Sequence, residues 1–484
     1  MFDNQTVITK ISQSTDVLNL GAGLAGLTAA YCLTKSGCRV TTVEKNHQVG
    51  GLARTICEND FRFDIGGHRF LTNDAVVDEF VKNLLAGDYL IVPRSSQILL
   101  NNKYFQYPLK PLNSIFGFGI NTSIRILLDY AYEKIKNKLK THELYSLQDW
   151  VVQQFGKTMF SLYFRDYSEK VWGIPCERIA KEWIAQRIQG LSLGDAIKAA
   201  LSLKKGAGSK NTKFTTLTDN FIYPHLGIGA IAEQLRNGIA SNPVLTNTAL
   251  IRLNHSKNKI DHAVVRTGSR HQIIEAGEFI SSIPINTIVN SLYPRAPRSV
   301  LQVANDLRYR DLVIVTLMLN QERVTDQTWI YFPDKNIPFG RIHEPANWSA
   351  KMAPPGKTSL VAEYFCFRDD TIWNNSDDGL VDLTVQHLQE LGLIQSQDVI
   401  GSKVLRIPNA YPLFEVGFQE RCDTLYDYLE QFENLSFTGR SGKFRYYNMD
   451  HTIRSGMDVA QKIIPKIPAR RLTQGEQTTM EGVS

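Results

Sequence analysis

The spacing of apolar and polar positions changes along the chain and marks its elements. Asp16-Val-Leu-Asn-Leu20 is a short apolar run that predicts a buried strand. LTAAYCLTKSG from Leu27 has helical spacing and a glycine stop, and RVTTVEK from Arg39 predicts a second strand. AVVDEFVKNLLAG from Ala75, INTSIRILLDYAYEKIKNKL from Ile120 and LQDWVVQQFG from Leu147 repeat apolar residues at helical intervals, so 73–215 is expected to be rich in helix. VLTNTALIRLNHSKNKIDHAVVRT from Val244 predicts a β-meander around an Asn-Lys turn. EFISSIPI from Glu278 and DLVIVTLMLN from Asp311 read as buried strands, and VDLTVQHLQELG from Val381 as an amphipathic helix ended by glycine. NLSFTGRSG from Asn434 reads as a strand and turn, with a last helix opening at Met449. PLNSIFGFGINTSIRILLDYAY from Pro111 is broken by polar residues and Arg125, and reads as a buried helix, with an interfacial helix as the alternative.

This order predicts an α/β fold, in which a discontinuous Rossmann-like domain carries an inserted α+β substrate domain. The nucleotide-binding pieces are expected at 1–72, at 216–295 (with the meander) and at 430–464. The insert takes 73–215 and 296–429, and 465–484 is expected to be a tail.

The first strand runs directly into GAGLAG, Gly21 to Gly26, and then into helix. Gly21 permits the tight turn, and Gly23 lets the backbone of Gly23-Leu24-Ala25 approach a pyrophosphate at the helix N-terminus. Gly26 allows close helix–strand packing. Glu44, followed by Lys45, ends the second strand where an acid bonds a ribose hydroxyl. Strand, glycine loop, helix and acid in this order indicate a bound dinucleotide. Two further glycine pairs follow, in VGGLART (Gly51, Leu52, Ala53, Arg54) and in FRFDIGGHRF (Gly66, Gly67, His68). A nicotinamide-binding Rossmann domain has no need of them.

The continuation EK…GGxxRT resembles the FAD-binding domain, of the glutathione reductase-like kind, in the flavoprotein group of amine oxidases, protoporphyrinogen oxidase, phytoene desaturases and UDP-galactopyranose mutase. That resemblance implies FAD as cofactor, with Arg54 near its phosphates and the backbone at Leu250 meeting the adenine. It also implies that the last strand and helix close the first domain, bringing Gly439, Arg440, Met449 and Asp450 to the cofactor. GRSGKFRYYNMDHTI from Gly439 looks like the terminal motif of the mutases. FDIGGHRF resembles the segment that sets a histidine, here His68, against the flavin. YSEKVWG from Tyr167, GRIHEPANWS from Gly340 and RIPNAYPLF from Arg406 resemble three further mutase segments in the family's order.

The first function this implies is interconversion of the ring forms of a nucleotide-activated sugar on reduced flavin, in surface-polysaccharide metabolism. NAD(P)H or another reductant would then serve as partner. Arg341, Arg187 and Tyr446, with Tyr411, are candidates for the diphosphate, because guanidinium and phenol groups match phosphate oxygens. Trp172 is a candidate for the base or the pocket wall. Taken alone, Trp172 reads as core and Arg187 as a helix-packing residue. The second function is an amine oxidase-like or desaturase-like oxidoreductase, which the wording GGLART favours. The third is a flavin-binding protein without turnover.

Composition narrows this little. The chain has 484 residues, 43% hydrophobic and 21% charged, with a formal charge of +6. That charge suits anionic small molecules, and no nucleic-acid partner is expected. The six cysteines form no CxxC pair, so neither a metal site nor a disulfide framework is expected. Met1 to Ser14 lacks the apolar run of a secretory signal, and a cytoplasmic location is expected. The basic stretch 204–213 reads as a solvated loop, with a lid or a peripheral membrane contact as the alternative.

Overall fold

The structure is a computed structural model that describes residues 8–10, 15–107, 120–139, 143–187 and 220–468. The basic loop 204–213 and the tail beyond 468 lie outside the described residues. The chain forms two compact units, one of residues 1–51, 231–301 and 426–484 and the other of 52–230 and 302–425.

The first unit is built on a nine-stranded sheet. Val244–Leu245, Val40–Val43, Thr15–Leu20 and the long strand Arg270–Ser281 run parallel in that order, and Leu435–Phe437 joins the last of them in parallel. Arg270–Ser281 belongs to two layers. Its second half pairs with Thr15–Leu20, while its first half pairs antiparallel with Lys259–Thr267, which in turn pairs with Thr248–Ser256. The meander expected from the sequence is therefore an extension of the nucleotide-binding sheet. Asn434, 6% exposed, ties the layers together. Its Oδ1 accepts from the Ile260 N–H, and its Nδ2 donates to the carbonyls of Ile260 and Gly277.

The helices Leu24–Lys35 and Met449–Ile463 pack against each other although they come from opposite ends of the chain. Gly456 makes the contact possible: a Cβ there would lie 2.5 Å from the Ala25 carbonyl oxygen and 2.8 Å from Thr28 Cβ. Thr438, just after the last strand, bonds Ser455 Oγ at 2.9 Å, and Ser455 Oγ also accepts from the Gly439 N–H.

The second unit holds a seven-stranded sheet. Its strand Tyr309–Leu319, second from one edge, is buried along its whole length between Thr358–Cys366 and the edge strand Val399–Pro412. Helix Asp377–Glu390 covers it, with Leu380 and Leu388 in the core. The sheet continues through Arg341–His343 and Trp329–Tyr331 to Ser96–Leu100 and Lys103–Gln106.

Three expectations are corrected. The segment 73–215 also contains strands Tyr89–Pro93, Ser96–Leu100 and Lys103–Gln106, the last two joined by a turn in which Asn101 and Asn102 both have positive φ. Residues 52–72 group with the second unit, because Phe61, Phe63 and Ile65 pack with Leu312, Ile314 and Val361. Of the stretch from Pro111, residues 111–119 lie outside the described residues, and helix Ile120–Leu139 is not buried: Leu128 is 65% and Ile135 60% exposed.

Replacing Gly456 by valine is expected to destabilise the protein by about 1–3 kcal/mol, because backbone and not a flexible side chain meets the new atoms. Urea unfolding, followed with the absorbance of bound flavin, checks this.

Candidate active site

In the first unit the glycine loop is held by side chains that approach from below it. The Ala22 N–H donates to Glu44 Oε2 at 2.9 Å, while Glu44 Oε1 accepts from the backbone and side-chain nitrogens of Asn46. Buried Asn19 donates through Nδ2 to the carbonyls of Gly21 and Gly26, and Ser282 Oγ bonds the carbonyls of Leu20 and Gly21. Gly21 has φ +101°, and a Cβ on Gly26 would lie 2.1 Å from the Gly21 oxygen. Both positions therefore require glycine. Gly23 differs. A Cβ there would meet nothing nearer than Gly51 Cα at 4.0 Å, so the space beside the loop is open. Gly23 also bridges to Gly50, and as N-cap of helix Leu24–Lys35 it brings no capping side chain, leaving the first helical N–H groups for an anion.

Glu44 Oε2 has one protein donor and retains a second lone pair, which suits a ribose hydroxyl. Lys45 is exposed, and Leu250 lies just before an irregularity in the Thr248–Ser256 strand. At the other end of the chain, Gly439 has φ +76°. Arg440 Nε donates to the Tyr447 carbonyl at 2.8 Å, and its guanidinium lies over the Tyr446 ring. Met449 begins the last helix, with Asp450 in its first turn beside His451.

The second unit holds a different group. Glu363 is fully buried in strand Thr358–Cys366. Arg341 clasps it with two bonds of 2.7 Å, Nε to Oε1 and Nη2 to Oε2. The Gly67 N–H donates to Oε1 at 3.0 Å, and His343 Nδ1 lies 3.7 Å away. Burial pushes the Glu363 carboxyl up, but Arg341 and His343 more than offset it and hold it well below the usual carboxylate range. Burial likewise works against the Arg341 charge, and Glu363 reverses the effect and holds the guanidinium above its ordinary value. His343, stacked on Trp348, is pushed down by burial.

Arg341 Nη2 also reaches Tyr411 Oη at 3.5 Å. The Tyr411 ring meets Trp172, which is 2% exposed and packed edge-on against Trp183 and Phe414. Trp172 is thus a core aromatic as well as a candidate contact. Its indole N–H is buried without a partner among the described residues. Arg187 closes helix Lys181–Arg187, and its side chain lies outside the described residues. His68 is half-buried, its N–H bonded to the Gly66 carbonyl. In the segment before it, Ala53 is buried, Leu52 packs beside Phe63, and the Arg54 carbonyl accepts from the Ile65 N–H. Arg341, Tyr411, Trp172, His68 and Gly66–Gly67 all belong to the second unit, and Tyr446 belongs to the first.

Sequence reasoning missed two residues that organise this group. The first is Glu363, a charged residue inside the apolar run LVAEYFC. The second is Lys170. Its ammonium donates to the carbonyls of Phe332 at 2.6 Å, Ile337 at 2.8 Å and Asp334, gathering the turn that leads into Arg341. Burial lowers its pKa to about 8. Asp64 is a third buried charge. It accepts from Thr55 Oγ1 at 2.6 Å, from Tyr223 Oη at 2.7 Å and from the Ile228 N–H. Burial raises its pKa to about 7, against the pull of those bonds.

Residues 24–464 match the family model of flavin containing amine oxidoreductases. The chain belongs to this family. FAD is its cofactor, and the open cradle at Gly23 with its uncapped helix end and free Glu44 lone pair fits the dinucleotide. The fold of this amine oxidoreductase is that of reduced UDP-galactopyranose mutase, at TM-score 0.79 and 19% identity, covering 94% of this chain and 97% of that one. It is also that of putrescine oxidase bound to putrescine, at TM-score 0.64 and 16% identity, covering 94% and 99%. Such identities show a shared fold only. The L-amino-acid oxidase of Crotalus adamanteus is 26% identical over 164 residues, covering 30% of this chain and 32% of that protein. The match thus spans about a third of the length of this curated relative.

Two variants probe the buried charges. Glu363→Gln keeps the shape but leaves the Arg341 charge without its counterion, and is expected to cost about 3–5 kcal/mol in chemical unfolding. For Asp64 the folded pKa lies above the unfolded one, so its contribution is fully present below about pH 4 and is lost as pH rises to about 7. Asp64→Asn mimics the protonated form. It is expected to remove this slope, leaving the variant more stable than wild type at pH 8 by on the order of 1–4 kcal/mol, read from unfolding midpoints across pH.

Proposed function

We propose that this flavoenzyme interconverts the ring forms of a nucleotide-activated sugar, in the manner of UDP-galactopyranose mutase. The observation that carries this reading is the donor set of the second unit. It comprises a guanidinium kept charged by a buried carboxylate and a phenol beside it, with the Trp172 ring packed edge-on against that phenol. Such a set suits an anion that only accepts hydrogen bonds, as a diphosphate does. Glu363 occupies one edge of the Arg341 fork, which fixes the plane of the guanidinium and spares it reorientation when a diphosphate binds. Lys170 secures the turn from which Arg341 projects. Arg187 is proposed as a further diphosphate contact, and His68 as the residue nearest the reacting sugar, both within the second unit. Bound flavin, once reduced by NAD(P)H or another donor, supplies the reactive ring atom.

The partial similarity to L-amino-acid oxidases favours a second reading, oxidation of an amine or amino acid. Arg341 fits this as well, because a carboxylate offers the same paired oxygens as a phosphate.

The two readings separate in one experiment. The purified protein is checked for flavin absorbance, reduced with dithionite and offered UDP-sugars, with ring contraction followed by chromatography. The oxidised protein is offered amines and L-amino acids, with oxygen uptake recorded. The proposal expects ring contraction by the reduced protein only, and fails if oxygen uptake occurs without it. Tyr411→Phe and Arg341→Lys are expected to lower kcat/KM for the sugar nucleotide by roughly tenfold and roughly a hundredfold, with flavin absorbance retained.

A further inference from the structure

Helix Ile120–Leu139 in the second unit has its faces the wrong way round for a surface helix. At 3.6 residues per turn, Ile124, Leu127, Leu128, Ala131, Tyr132 and Ile135 fall on one face, and all six are exposed. Leu128 is 65%, Tyr132 63% and Ile135 60% exposed.

The opposite face is polar and fastened to the protein. Asp129 accepts from the backbone N–H of Thr158 at 3.0 Å and from its hydroxyl at 2.5 Å. Glu133 is 3% exposed, and Ile126, on the same side, is fully buried. Gly156 lets the next turn approach this side, because a Cβ there would lie 3.0 Å from the Tyr130 nitrogen. Both acids of the helix thus point inward. The four basic residues border the apolar face instead, Arg125 and Lys136 along one edge and Lys134 and Lys138 along the other. Among the described residues no helix is long and apolar enough to cross a membrane.

An apolar stripe with cations on both edges and no acid on the same side is complementary to one kind of partner. We propose that this helix lies in the interface of an anionic lipid bilayer, its six apolar side chains among the upper acyl chains and its lysines and arginine at the phosphate level. Lysine and arginine stems are long enough to lie along the apolar zone while their charged ends reach the headgroups. Attraction to anionic headgroups adds for each basic residue and is weakened by salt. A second copy of this chain would face the same four positive charges with four of its own across a two-fold contact, so the charge pattern disfavours self-association through this face.

The intact flavoprotein is sedimented with vesicles of phosphatidylcholine containing about one third phosphatidylglycerol. The expected result is partition to the vesicles that weakens with salt and in pure phosphatidylcholine. It should fall about tenfold or more in Leu128→Glu/Ile135→Glu and in Lys136→Glu/Lys138→Glu, at unchanged flavin absorbance. Tyr132→Trp adds a direct readout, a blue shift of its emission when vesicles are added. The proposal is overturned if the wild type stays in the supernatant, if the variants sediment equally well, or if the Tyr132→Trp emission does not move. Self-association without lipid that Leu128→Glu/Ile135→Glu abolishes would also overturn it.

Discussion

A carboxylate sealed in a protein core must find donors for all its charge, and in the second unit that demand falls on Glu363. Gly67 and Arg341 meet it with hydrogen bonds, His343 Nδ1 lies 3.7 Å away, and the three become neighbours. The strand Arg341–His343 is held against Thr358–Cys366 not only by its ladder but by this pair. The glycine loop of Gly66–Gly67 is drawn to the same oxygens. Gly66 has to be glycine for this, since a Cβ would lie 3.0 Å from Glu363 Oε2. Replacing the pair with apolar residues would keep a core and lose the fixed guanidinium.

The chemistry of the unit follows from this arrangement. Arg341 is charged at any accessible pH, its plane is set, and it donates to the Tyr411 hydroxyl, whose ring packs on Trp172. Lys170 and Arg310 steady the frame. Lys170 gathers the carbonyls of the turn before Arg341, while Arg310 takes the carbonyls of Lys170 and Val171 at the end of the helix that carries Trp172. Cations at a helix C-terminus are favoured by the helix dipole as well as by the bonds they form.

Legibility differed between residues for identifiable reasons. The loop Gly21–Gly26 could be read because its demands are local: a positive φ at Gly21 and a contact between Gly26 and Gly21 five positions apart. The strands at 89–106 stand in a segment dominated by helical spacing, although Asn101-Asn102 is a hairpin signal. Glu363, Asp64 and Asn19 were visible as polar residues interrupting apolar runs, an anomaly that buried polar groups share. Their partners were not visible, since Gly67 lies 296 positions from Glu363 and Tyr223 lies 159 from Asp64. In helix Ile120–Leu139 the periodicity locates an apolar stripe without saying what covers it, so a buried and an interfacial helix look alike in sequence.

By itself the sequence determined most of the helices, the strands around the glycine loop, the dinucleotide loop and the family, all of which rest on short-range sterics and spacing. Tertiary structure alone decided that Gly456 lets the two terminal helices touch and that residues 52–72 join the second unit. It also decided that Arg341 is spent partly on Glu363 and that one apolar helix face points outward. Each of these depends on which distant groups share a dielectric and a volume, and no local pattern of side chains encodes that.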